Sequence, residues 1–265
     1  MRILRTSIAV LAMAAGLAAV TASSSAFAQA APTAWASGLS GALASQGSAT
    51  AIAPVNRVLG SGIKAYSHGA TVPLYSESIA IVVGGKLVGS MTVVASGIVT
   101  HVASTGTSGG TTQVQSSTSI ASLQITMSLT PPAGSTAPPA PLLSLTATNI
   151  ASQVTDSATA PLVPQQAGTA SFGSLTLGGS LVSGQPLTFE GAAPANTVLY
   201  SDANMTVTLN QQELSGVIAC TPICQFVPQK MIAAALQVEM FHKVVLGKST
   251  VTGNFQIAQN EASVP

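Results

Sequence analysis

The sequence predicts an all-β protein, and three observations carry that prediction. Apolar residues recur at every second position in several runs. Clusters of Gly, Pro, Asn and Ser cut those runs into short lengths. No long helical pattern alternates with them, so a parallel α/β sheet is disfavoured. The expected architecture is an antiparallel sandwich, jelly-roll-like, or a β-solenoid of about ten short strands. A fixed repeat period is not evident.

The N-terminus reads as an export signal. Arg2 and Arg5 form a positive n-region, Ile8 to Val20 an apolar stretch, and Ala26-Phe27-Ala28 a small-x-small cleavage pattern. Cleavage is expected after Ala28, with Ala30 as the alternative. The apolar stretch is short and rich in small residues for a spanning helix, so no transmembrane segment is expected after cleavage. The predicted division is a signal peptide at 1–28, a low-complexity Ala/Ser/Gly leader at 29–60, and a β-rich domain at 61–265. That domain has candidate subdivision points near 104–112 or 131–141. Within the leader, Trp35, Leu39 and Leu43 recur at helical spacing and predict a short helix, a flexible leader being the alternative.

From Ile63 the period becomes two. Ile79, Ile81 and Val83 precede a Gly84-Gly85 turn, and Leu87 to Val99 return from it. Both runs are apolar on each face, which fits burial on two sides or contact with a partner. The clearest strand has Leu123, Ile125, Met127 and Leu129 on one face and Gln124, Thr126 and Ser128 on the other. Pro131-Pro132 ends it, and the stretch to Pro141 is expected to be an exposed loop. Leu143, Leu145 and Ala147 restart the alternation, and Leu175 and Leu177 continue it. Leu187 and Phe189 follow after turns at Gly178-Gly179 and Ser183-Gly184-Gln185-Pro186. Met205, Val207 and Leu209, then Leu236, Val238 and Met240, then Val251, Phe255 and Ile257 supply the last runs.

Composition narrows the function. Charged residues make up 6% of the chain, with eight basic against seven acidic side chains. That leaves no electrostatic footprint for nucleic acid or anionic lipid. Few charges repel neighbouring copies, which suits self-association. Hydrophobic content is 47% but aromatics only 4%. Stacking platforms for sugars are therefore scarce.

Candidate chemistry is sparse. Cys220 and Cys224 are the two cysteines, and in an oxidising compartment their Cys-Thr-Pro-Ile-Cys spacing reads as a structural disulfide. His68, His101 and His242 are far apart and lack an evident local partner. A glycosidase pair would draw on Glu190 and Asp202, with solvated loop acids as the bland alternative. Gly84-Gly85-Lys86 lacks phosphate-loop spacing, and no Gly-x-Ser-x-Gly elbow occurs. No metal site or cofactor is expected.

The stretches Ser171-Phe172-Gly173-Ser174-Leu175-Thr176-Leu177, Asn196-Thr197-Val198 and Thr206 to Gln212, with the strand Ala234 to Leu246, resemble the choice-of-anchor P family of exported bacterial proteins. Ser116 to Thr148 fits more loosely. The resemblance implies a secreted or surface-displayed β-rich domain without assigned catalysis. The sequence after Ile257 shows no anchor motif, which favours free secretion or periplasmic residence over attachment. The functional expectation is therefore an exported, non-catalytic protein with a structural, adhesive or self-assembling role. A secreted polymer hydrolase and a small-ligand-binding barrel are the alternatives.

Overall fold

The computed structural model describes residues 31–45, 48–83, 85–107, 111–131, 141–159, 165–220, 224–240 and 251–264, with side chains at 48, 159 and 217–229 excepted. The chain divides into two units, Met1–Ala30 and Ala31–Pro265. The second is all-β, and its described residues form thirteen strands in two antiparallel sheets.

The chain order explains the architecture. β1 (Thr33–Ser45), β2 (Ser48–Val55) and β3 (Val58–Ser61) begin the first sheet. The chain then crosses to the second sheet, whose strands follow one another as a meander. These are β4 (Tyr66–Val83), β5 (Lys86–Ser104), β6 (Thr111–Leu129), β7 (Pro141–Thr159), β8 (Gln165–Gly178) and β9 (Leu187–Ala193). It returns to the first sheet with β10 (Thr197–Ser201), β11 (Met205–Cys220), β12 (Cys224–Met240) and β13 (Val251–Ser263). β13 then pairs with β1, from Thr33↔Ser263 to Ser45↔Val251. The first sheet therefore runs β10-β11-β12-β13-β1-β2, with β3 also on β1. The two sheets stack face to face, β13 over β6 and β7, β1 over β5 and β6, and β12 over β7 and β8. The sandwich expectation holds, with thirteen described strands rather than about ten, several of them longer than the sequence suggests. Five of the strands reach 17 to 19 residues.

Residues expected to form a leader supply β1, β2 and β3, and β1 lies inside the first sheet. The expected helix is strand β1. Its fourfold spacing has a different cause: Leu39 and Leu43 point inward, while Trp35 lies on the opposite face against the Arg57 guanidinium, 5.3 Å away. Gly41, between the two leucines, leaves room for the Phe255 ring, which a β-carbon there would meet at 2.4 Å. The stretches near 104–112 and 131–141 connect strands paired within one sheet, and residues 108–110 of the first lie outside the described residues. Of the second, residues 132–140 lie outside the described residues, as does Gly84 of the expected Gly84-Gly85 turn.

A crease crosses both sheets at mid-length. Positive φ angles occur at Gly97 on β5 (60°), Asn149 on β7 (48°) and Gly191 on β9 (92°). The register aligns them, because Ser96↔Ser122, Ser122↔Thr148 and Phe172↔Gly191 bracket one transverse line. The first sheet repeats the pattern with Asn210 on β11, Ala258 on β13 and Asn56 between β2 and β3. In each sheet alternate strands carry the left-handed residue. A bulge of this kind inserts a residue and bends the strand. It also shifts which residues face inward by one. On β5 the buried positions change from Gly89, Met91, Val93 and Ala95 to Ile98, Thr100, Val102 and Ser104. β6, β7 and β8 switch phase on the same line.

The crease separates two interiors. Above it, Met91, Ile125, Met127, Leu143, Leu145, Leu177, Leu236, Val238 and Phe255 pack a large apolar core. Just below it Ile98, Ile120, Ile150 and Phe172 still pack against that core, and farther along the buried apolar side chains are mostly Ala and Val, with Met231. Ser37, Thr100, Ser104, Ser116, Thr118, Ser152, Asp156 and Asn260 are buried beside them.

Candidate functional site

The polar interior is partly satisfied. Thr118 donates its hydroxyl hydrogen bond to Asn260 Oδ1 at 2.9 Å, and Thr100 donates to the Asn56 carbonyl at 2.9 Å. Asp156 Oδ2 accepts from Gln166 Nε2 and from the Val264 N–H, each at 2.9 Å, which ties the segment after β13 to β7. Burial pushes the Asp156 carboxyl above its ordinary range, outweighing those hydrogen bonds and one from the Ser157 backbone. Asp156 Oδ1, Ser116 Oγ and Ser152 Oγ have no hydrogen-bond partner among the described residues.

Outside, the crease shapes a groove of about 380 Å³ on the solvent face of the second sheet. Register builds its floor from two transverse rows just below the crease. One row is Val99, Ser119, Ala151, Ser171 and Ala192, and the other is His101, Ser117, Gln153 and Thr169. Period-two alternation puts these side chains on one face while Thr118, Ser152 and Ala170 turn inward. The floor is thus hydroxyl, amide and methyl, with one imidazole and no carboxylate. His101 Nε2 lies 2.9 Å from Ser67 Oγ on the edge strand β4. Such a surface offers many neutral hydrogen bonds and no general acid–base pair. It suits a neutral polymer or another uncharged sheet face rather than a charged ligand.

The residues singled out by sequence fall in several places. His101 lines the groove, whereas His68 stacks on Tyr66, with ring centroids 5.7 Å apart. His242 lies outside the described residues. Glu190 is on β9, the edge strand of the second sheet, and Asp202 follows β10 at the edge of the first. Asp202 is committed to its turn: its carboxylate accepts the N–H groups of Asn204 and Met205, each at 2.8 Å, and the Tyr200 hydroxyl at 2.9 Å. Slight desolvation would raise its pKa, but these bonds outweigh it and hold the carboxyl below its usual range. Cys220 and Cys224 oppose one another in the β11–β12 register. Their side chains lie outside what the structure describes. Among the described residues no group of three or more His, Cys, Asp or Glu converges on a metal position. No helix there is long and apolar enough to cross a membrane.

The groove is not visible as a unit in the sequence. Its residues come from five strands between Val99 and Ala192. Its signal is a Ser/Thr/Gln phase running through Gln115, Ser117 and Ser119 that precedes the apolar phase of β6.

No protein-family model matches this sequence, no curated protein matches it, and no solved structure matches its fold.

Proposed function

We propose that the protein is an exported, non-catalytic β-sandwich with a structural or adhesive role at or outside the cell envelope. The observation that carries this reading is the creased outer face of the second sheet, where neutral hydrogen-bonding side chains from β5 to β8 form a continuous floor. Uncharged hydroxyl and amide groups in register can bind an extended neutral partner along its length, each contact contributing a little. The signal-like N-terminus and the resemblance to choice-of-anchor P proteins support export and display. The two cysteines, opposed across β11 and β12, support an oxidised pair in that compartment. The hydrolase alternative gains no support from Asp202, whose carboxylate is engaged by its own turn.

Co-sedimentation tests the proposal. Protein comprising residues 29–265 is mixed with purified envelope fragments and with neutral exopolysaccharide, then pelleted. Retention that falls at least several-fold in Ser117→Glu/Ser171→Glu is expected, because buried charge in a neutral contact is costly. Equal recovery of wild type and variant in the supernatant, with release of reducing ends from the polymer, would overturn it in favour of hydrolysis.

A further inference from the structure

The β11–β12 hairpin runs on past its neighbours in the first sheet. β10 pairs with β11 no further than Leu209, and β13 pairs with β12 no further than Met231. Among the described residues β11 and β12 continue with only each other, from a bulge at Ser215/Gly216 through Gly216↔Pro228 to Cys220↔Cys224. These last register pairs extend for about 15 Å. An isolated two-stranded ribbon is marginal in water. This one carries Leu214, 54% exposed, and a sequence of Val217, Ile218, Phe226 and Val227.

The two edges of this arm differ in kind. The β12 edge holds Pro228, which has no N–H to donate, and Lys230, the two residue types that blunt a free edge. The β11 edge runs from Gln211 to Cys220 without proline, and Glu213 is its one charge. Main-chain donors and acceptors on that side are available to another strand.

We propose that β11 of one molecule pairs antiparallel with β11 of a second copy, making a continuous β12-β11-β11-β12 sheet between two sandwiches. This rests on the structural role proposed above and specifies its partner. Self-pairing is favoured by the edge sequence: centred between Gly216 and Val217, it sets Glu213 opposite Cys220 of the other copy, so no like charges meet. Chain connectivity limits the competition from residues 241–250. They join Met240 to Val251 at the far end of β12. Ten residues anchored at both ends reach out at most about 17 Å. The arm begins about 40 Å away along β12. β10 is already paired higher on β11.

Light scattering on size-exclusion peaks of residues 29–265, run with and without reductant, tests this; residues 1–28 are then absent and cannot supply the added strand. The expected mass is two copies, unchanged by reductant. Val217→Lys/Ile218→Lys is expected to give a monomer with the wild-type melting temperature. Gln225→Lys/Val227→Lys, on the blunted strand, is expected to keep the dimer. A wild-type monomer at every concentration, an assembly of three or more copies, or a dimer that survives Val217→Lys/Ile218→Lys overturns the pairing. Sedimentation with envelope, scored separately, tells its failure from that of the proposed role: a monomer that still sediments loses only the arm, and a dimer that does not sediment loses only the envelope role.

Discussion

The two halves of the sandwich share the same strands but not the same interior. Above the crease, inward positions on β5 to β8 are Met91, Ile125, Leu145 and Leu177, all fully or almost fully buried. Below it β5, β6 and β7 alternate apolar inward residues such as Val102, Val114 and Val154 with Thr100, Ser116, Ser152 and Asp156. Burying a large apolar side chain contributes about 1.5–3 kcal/mol, while a buried hydroxyl at best offsets its own desolvation. The upper half therefore buries more large apolar side chains per strand. The lower half contributes order through named hydrogen bonds, and it is also where the groove and the arm sit. The proposed contact surfaces and the more polar interior share one end of the molecule, as expected for segments that meet a partner.

Truncation in the apolar half should have the largest effect. Leu145→Ala is expected to cost about 2–5 kcal/mol, because the stacked sheets cannot close over the void. Chemical denaturation of wild type and variant checks this, and a cost no greater than that of Val102→Ala would erase the contrast between the halves.

Next comes the crease that divides them. Gly97→Val should cost about 2 kcal/mol, since a β-branched residue is strained in the left-handed region. The φ angle there is 60°, and an added β-carbon would lie 2.8 Å from Ala121 Cβ. A melting temperature equal to that of wild type would show that the crease is not fixed by this residue.

Within the polar half, two hydroxyl deletions should differ in sign. Thr118→Val strands Asn260 Oδ1. It should destabilise by about 1–2 kcal/mol. Ser116→Ala removes an Oγ with no partner among the described residues. It should leave stability equal or raise it by up to about 1 kcal/mol. Parallel thermal melts compare them, and losses of equal size would mean that both hydroxyls are satisfied.

The smallest effect is a pH dependence. The Asp156 carboxyl titrates higher in the folded chain than in the unfolded one, so the native state binds the extra proton between those two values. Stability then falls as pH rises through that window, and the penalty is complete above it. Asp156→Asn does not ionise and still offers an oxygen to Val264. Its melting temperature should match wild type at pH 3 and exceed it at pH 7. A difference independent of pH would assign Asp156 a purely geometric role.

The same division decides what the sequence discloses. Leu123, Ile125 and Met127 announce a strand because their inward phase is apolar and their outward phase polar. The other half of that strand hides its phase, since Ser116 and Thr118 face in while Ser117 and Ser119 face out, and all four look alike in sequence. The one-residue slip at the crease compounds the difficulty, for a period-two search ends wherever the phase changes. Long strands thus read as short ones, and a strand with inward Leu39 and Leu43 reads as a helix. Of the groove, only His101 stands out, and nothing local ties it to Gln153 or Thr169.

The pairing of β1 with β13 bears on when the chain can fold. β1 must wait for the thirteenth strand before the first sheet has a centre. Contacts of such sequence separation are slow to form. A polypeptide emerging N-terminus first cannot complete its first sheet until β13 has been made, although β4 to β9 can pair before then.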